Sequence, residues 1–74
     1  MITNEQKKLK AFGANVAAMR KRRGVTQQQL AESVGMSVVA IAYIETGKRW
    51  VRLGTVDKIA KALKVDIEVF FKGL

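Results

Sequence analysis

Three glycines, Gly24, Gly35 and Gly47, divide the middle of the chain into segments of about ten residues, and this spacing constrains the fold more than any other feature. Apolar residues inside these segments recur at intervals of three and four, which is typical of one face of an α-helix. Thr26 and Ser37 precede two of the segments, where hydroxyl side chains commonly cap helix starts, and glycine commonly ends a helix. The pattern predicts short capped helices joined by tight turns, because no segment has the alternation of a β-strand.

The rest of the chain extends this pattern to five predicted helices, which indicates a compact all-α bundle forming one domain over residues 1–74. The predicted helices cover residues 4–23, 27–34, 38–46, 53 or 56 to 63, and 66–72. Thr3 and Gln6 form a predicted capping box at the first helix. Thr55 is the expected cap of a shortened fourth helix, and Asp66 that of the fifth. Gly13 lies inside the first predicted helix, where it costs about 1 kcal/mol relative to alanine.

The residue types in the chain argue against catalysis and metal binding. Cysteine and histidine are both absent, which excludes disulfides, thiolate or imidazole metal ligands, and the two commonest catalytic side chains. The six carboxylates are scattered, without a close pair that could form an acid–base couple. We therefore expect no enzymatic activity, no metal, no cofactor and no small-molecule ligand.

The balance of charge indicates a polyanionic partner. Lys and Arg together number 14 against 6 acidic residues, for a net charge of +8, and such a field attracts nucleic acid first and anionic membranes second. Solubility alone is the alternative interpretation of this charge. A membrane-surface peptide would be one helix with a strong lipid-facing side rather than several capped helices. Residues 1–10 lack a signal-peptide pattern, and no apolar run approaches the roughly 18 residues of a transmembrane helix, so we expect a cytoplasmic, nucleoid-associated protein.

The second and third predicted helices are joined by Gly35-Met36-Ser37, a three-residue turn containing glycine, which is typical of a helix-turn-helix over about residues 27–46. Residues 20–47 read RKRRGVTQQQLAESVGMSVVAIAYIETG, and KIAKALKVDIEVFF follows at residues 58–71. These segments resemble the repressor-type (XRE) helix-turn-helix family, which includes the phage Cro and cI repressors and the restriction-modification controller proteins. The resemblance covers residues 9–72 and implies a lambda-repressor-like fold that binds double-stranded DNA.

The resemblance also implies roles for individual residues, with the third helix lying in the major groove. Gln27, at the start of the second helix, would hold a DNA phosphate, and Arg23 and Gln28 are close enough in sequence to join it. Arg20 and Glu45 match a buried ion pair between the first and third helices. The outward face of the third helix comprises Ser37, Val38, Val39, Ala42 and Tyr43. The cations expected to follow the DNA backbone beyond it are Lys48, Arg49 and Arg52.

This outward face departs from the family pattern. Recognition helices in the family usually carry Arg, Gln, Asn, Ser or Thr there, whereas the face in this chain is largely apolar and cannot make bidentate bonds to guanine or adenine. One hypothesis is that specificity comes from thymine methyl groups, from Tyr43 and Arg49, and from DNA shape. The other is that this face binds a protein partner, since exposed apolar patches often mark such sites. We favour the first, because basic residues flank the helix on both sides.

Together these patterns predict a sequence-specific transcriptional regulator, acting as a repressor, that binds DNA as a homodimer. Such a dimer reads two half-sites about one helical turn apart. The candidate dimer-interface residues are Trp50, Phe70 and Phe71, although Trp50 could instead cover the core or approach the DNA backbone. One of the two phenylalanines is expected in the core. The alternative function is a protein-interaction module, such as the antitoxin of a toxin–antitoxin pair.

Overall fold

The computed structural model describes residues 3–74, which form four α-helices followed by a short 3₁₀-helix. The elements are α1 Asn4–Arg22, α2 Gln27–Val34, α3 Val38–Glu45, α4 Leu53–Leu63 and the 3₁₀-helix Ile67–Phe71. No strand occurs over residues 3–74, so the predicted all-α class is confirmed. Within the same residues, no helix is both long and apolar enough to cross a membrane.

The predicted fifth α-helix is wrong, because this segment is a 3₁₀-helix. Its five residues are mostly β-branched or aromatic, which are weaker helix formers, and so short a segment gains little from α-helical hydrogen bonds. Asp66 stands at the N-cap, but its side chain makes no capping bond. The Asn15 amide of α1 donates to the carbonyls of Phe70 and Lys72, each at 2.9 Å. These two bonds hold the C-terminal turn against α1.

The helix starts predicted from hydroxyl residues are confirmed for α1, α2 and α3. Thr3 Oγ1 accepts from the Gln6 N–H at 3.1 Å, and the Thr3 N–H donates to Gln6 Oε1 at 2.8 Å. Thr26 and Gln29 make the same reciprocal pair at 3.0 and 2.9 Å. Ser37 Oγ accepts from the backbone N–H at the third position of α3, at 3.1 Å. Each cap satisfies a donor that the helix itself leaves unpaired, so each helix begins at the predicted residue.

The start of α4 is the earlier of the two predicted positions, but its predicted cap is wrong. The helix begins at Leu53, and Arg52 occupies the N-cap without a side-chain hydrogen bond. Thr55 is therefore not the cap, since its own N–H already donates to the Arg52 carbonyl at 2.9 Å within the first turn. With no side-chain cap, α4 depends for its stability on its buried apolar face.

The core lies between the helices and is almost entirely apolar. Its largest fully buried side chains are Val16, Leu30, Ile41, Ile44, Ile59, Leu63 and Phe70. Phe12 of α1 and Phe70 of the 3₁₀-helix meet edge to face, with ring centroids 6.1 Å apart, so the C-terminal turn closes the core. Phe70 is 0% exposed. Its assignment to a dimer interface is therefore wrong, because the folded chain leaves none of its ring for a partner.

Gly13 allows α1 to pack closely against the end of α3. A Cβ atom at Gly13 would overlap the carbonyl oxygen of Ile44 and lie 2.8 Å from that of Glu45. Only glycine fits between these two backbones unless the helices move apart. The sequence indicated the propensity cost of Gly13 but not this contact, which joins residues far apart in the chain.

Candidate nucleic-acid interface

The turn between α2 and α3 is fixed by its backbone. Gly35 ends α2 in the left-handed conformation, with φ 71° and ψ 34°, which glycine adopts without the strain that a side chain would add. The Met36 N–H donates to the Ala31 carbonyl at 2.9 Å. Ser37 then caps α3. The direction of α3 relative to α2 is therefore set within three residues, and the two helices form a helix-turn-helix.

A buried ion pair ties α1 to the end of α3. The structure brings together Arg20 and Glu45, with Arg20 Nε 2.6 Å from Glu45 Oε2 and Arg20 Nη2 3.1 Å from Glu45 Oε1. Arg20 Nη1 also donates to the Val25 carbonyl at 2.8 Å, which attaches the loop before α2. The two side chains are 9% and 5% exposed. A bidentate ion pair in this position fixes the orientation of α3 relative to α1.

Gln27, the predicted phosphate ligand, uses its side chain within the protein. Its Nε2 donates to Glu45 Oε1 at 2.9 Å, so the start of α2 joins the same buried network. Sequence reasoning missed this bond, because the two residues are 18 apart and no local pattern connects them. The first backbone N–H groups of α2 precede the helical hydrogen-bond ladder and stay available to an anion. Gln28 beside it is exposed, with its amide 3.4 Å from Glu32 Oε1.

The outward side of α3 is exposed and apolar. Val38, Val39 and Tyr43 are 44%, 55% and 47% exposed, whereas the opposite side of the helix is buried in the core. Ala42 is half-buried between them, and Ser37 is exposed at the helix start. The structure therefore brings the five predicted face residues together on one surface. We call these residues the α3 face.

Exposed cations follow the α3 face along the chain. Lys48, Arg49 and Arg52 are all exposed in the loop between α3 and the first turn of α4. The Lys48 N–H donates to the Tyr43 carbonyl at 2.9 Å, which holds the beginning of this loop against the end of α3. The structure thus places the three predicted backbone-following cations in the exposed segment that follows α3. Within residues 3–74, no three carboxylates lie close enough together to hold a metal ion.

Arg23 is the predicted DNA ligand that lies elsewhere. Its Nη2 donates to the Lys64 carbonyl at the end of α4, at 3.2 Å. It lines an open groove with Arg22, Lys61 and Lys64, to which α3 contributes no residue. Cations are favoured at helix C-termini because they bind the unpaired carbonyls there, and this accounts for the position of Arg23. In this structure Arg23 is not part of the α3 face or its flanks.

A second apolar surface lies beside the start of α4. Trp50, Leu53, Phe71 and Leu74 are exposed large apolar residues around a groove of about 500 Å³. Phe12 forms part of its floor, with its ring centroid 5.3 Å from that of Phe71. We call this surface the α4 groove. Sequence reasoning identified Trp50 and Phe71 but missed the two leucines. Leu53 could have been found, because it is an apolar residue of α4 that lies outside the stripe of residues facing the core.

The amino-acid sequence of this helical region matches a known family. Residues 16–70 match the helix-turn-helix family HTH_3. This chain belongs to that family. The match extends from the middle of α1 to the 3₁₀-helix and includes α2, the glycine turn and α3. The family resemblance seen in the sequence is therefore confirmed.

Individual relatives agree with this assignment. The chain is 41% identical over 61 residues to the HTH-type transcriptional repressor RghR of Bacillus subtilis, a stretch that is 81% of this chain and 45% of that protein. The chain therefore matches less than half the length of this relative. Its fold is similar to the restriction-modification controller protein C.AhdI of Aeromonas hydrophila, with TM-score 0.85, 29% identity, and coverage of 88% of this chain and 98% of that one. It is also similar to the clp gene regulator ClgR of C. glutamicum, with TM-score 0.80, 27% identity, and coverage of 82% and 80%.

Proposed function

We propose that the chain is one helix-turn-helix domain that binds specific sequences of double-stranded DNA and represses transcription. The observation that carries the proposal is the exposed α3 face, oriented by the glycine turn and followed by Lys48, Arg49 and Arg52. A helix exposed along one side can enter the major groove, which is wide enough to admit it. The relationship to RghR, named a transcriptional repressor, supports repression as the outcome. Such a protein acts on the nucleoid, in the cytoplasm.

Two kinds of contact would anchor the domain to the DNA backbone. The positively polarised start of α2 favours a phosphate at the backbone N–H groups of Gln27 and Gln28. The cations that follow α3 bind phosphates on the other side of the recognition helix. Neither contact reads sequence, but together they fix the position of α3 in the groove.

The α4 groove supports a homodimer. It presents four exposed large apolar side chains on a domain that has one small core, and burying them against a second copy removes apolar surface from water. Trp50 and Phe71 keep their predicted interface role, and Leu53 and Leu74 join them in place of Phe70. A two-fold dimer would present two α3 helices to half-sites about 34 Å apart.

Selection from a random pool of duplex DNA, followed by binding measurements across a salt series, tests the proposal. We expect a two-fold symmetric site and a linear fall of log K with log salt, with a slope of about 0.9 per neutralised phosphate. Lys61→Ala is the matched control for Arg49→Ala, because both remove one exposed cation and Lys61 lies outside the α3 face and its flanks. Weak, unselective binding that is lost at physiological salt would contradict the proposal.

The apolar character of the α3 face also supports a second function, a protein-interaction module such as an antitoxin. Exposed valines suit a protein partner as well as they suit DNA. The variants Val39→Asp and Tyr43→Ala separate the two functions, because both residues are exposed and neither change disturbs the core. If these changes, and those at Lys48 and Arg49, all leave DNA binding intact, the protein-interaction function is the better supported one.

A further inference from the structure

We infer that the α3 face reads the C5-methyl groups of pyrimidines, so that the bound half-sites carry thymine opposite Val38 and Val39. This inference rests on the proposed DNA-binding function and specifies the chemistry that the site recognises. It is carried by the burial and hydrogen bonding of the side chains on and around α3.

Three polar side chains close to α3, those of Ser37, Thr46 and Gln27, already have partners within the protein. Ser37 Oγ accepts the capping bond at the start of the helix. Thr46 Oγ1 donates to the Ala42 carbonyl at 2.8 Å, at the other end. The Gln27 amide donates to Glu45. Within the α3 face itself, Ser37 and Tyr43 contribute single hydroxyls, but no side chain there offers the paired donors and acceptors that distinguish guanine or adenine.

The residues that open α3 are two exposed valines. The first turn of a recognition helix is the part that contacts base edges. In this chain that turn presents Val38 and Val39, and Val39 is more than half exposed. Base contacts made by this turn are therefore apolar contacts.

The chemistry of the major groove determines which base an apolar side chain prefers. Thymine presents a methyl group there beside its O4 acceptor, whereas cytosine and the purines present only hydrogen-bonding groups, which a valine leaves unpaired. Burying such a polar edge against an isopropyl group costs free energy, and burying a methyl group gains it. Selection for thymine thus has an attractive and a repulsive part. The same reasoning extends to 5-methylcytosine, which carries a methyl group at the same position.

The spacing of the valines limits where these methyl groups lie. Adjacent residues of an α-helix are offset by about 1.5 Å along the helix axis. Successive bases of one DNA strand are offset by about 3.4 Å along the duplex axis. The two valines therefore reach no more than about two adjacent base pairs. We expect one or two methyl-dependent positions in each half-site, and not methyl dependence along the whole site.

The experiment replaces single thymines of the selected site with uracil, which keeps base pairing and removes only the methyl group. Each substitution opposite the valines is expected to weaken binding about fourfold, which corresponds to about 0.8 kcal/mol for one buried carbon. Uracil placed outside the half-sites is the control and is expected to leave affinity unchanged. In cytosine-substituted sites, 5-methylcytosine is expected to bind more tightly than cytosine at the same position.

Val39→Ala links the methyl group to the side chain through a double-mutant cycle. The variant is expected to lose the preference for thymine over uracil at one position and to keep it elsewhere, because only the contacting pair is coupled. A selected site that tolerates uracil at every position overturns the inference and leaves the proposed function intact. A pool that yields no selected site overturns both. The uracil series uses the unaltered protein, so its result does not depend on the folding of a variant.

Discussion

The ion pair between Arg20 and Glu45 gives the sharpest test of how the fold is held together. Its side chains are 9% and 5% exposed, and the guanidinium also bonds the Val25 carbonyl. Arg20→Met removes the charge and keeps much of the side-chain volume, but it leaves the Glu45 carboxylate buried with only the Gln27 amide beside it. Leaving one partner of a buried pair uncompensated costs about 3–5 kcal/mol. We expect the free energy of unfolding to fall by that amount.

The magnitude matters because a domain of this length has roughly 4–11 kcal/mol of stability in total. The matched comparison is the pair of Lys61 with Asp57, whose atoms are 3.1 Å apart but whose side chains are 78% and 52% exposed. Lys61→Ala is expected to cost less than about 1 kcal/mol, because solvent screens that pair and its partner stays hydrated when left alone. Urea unfolding followed by far-UV circular dichroism measures both differences.

A double variant distinguishes the effect on stability of losing the ion pair from the effect of leaving one charge buried without a partner. Replacing Arg20 and Glu45 together with methionine and leucine removes both charges, and such replacements are often neutral or stabilising. We expect the double variant to be more stable than Arg20→Met alone. If the double variant is as unstable as the single one, or if Arg20→Met costs no more than Lys61→Ala, the reasoning from burial is refuted.

The remaining predictions concern helix packing, assembly and DNA contact. Gly13→Ala is expected to lower the melting temperature, since the clash with the Ile44 carbonyl outweighs the gain of about 1 kcal/mol in helix propensity; a rise would contradict the close approach. Leu53→Asp is expected to shift the proposed dimer towards monomer in sedimentation with unchanged helix content, because Leu53 is 70% exposed and an acid suits the first turn of α4. Arg49→Ala is expected to lower the salt slope of DNA binding by about 0.9, while Lys61→Ala leaves it unchanged.

The parts of this structure that could be predicted from the sequence are those determined by neighbouring residues. The starts of α1, α2 and α3 follow from hydroxyl caps within three residues of the bonds they make. The end of α2 follows from Gly35, because a left-handed residue is a local requirement. The family resemblance added the position of the buried pair.

The features that the sequence did not predict depend on residues distant in the chain. Gly13 contacts α3 about thirty residues away, and Asn15 holds the carbonyl of Phe70 across a separation of 55. Arg23 turns towards the end of α4, which the order of residues gave no reason to expect. In each case a periodic pattern identified the helix but could not indicate which part of another element would lie against it.

Long-range contacts also explain how an exposed apolar α3 face is compatible with this fold. Arg20, Gln27 and Glu45 fix the inner side and the end of α3, and Gly13 lets the backbone of α1 reach that end. None of these contacts uses the α3 face. The orientation of the helix and the chemistry of its exposed side are therefore set by different residues. Because other residues set the orientation of α3, substitutions at the exposed valines are expected to leave that orientation unchanged.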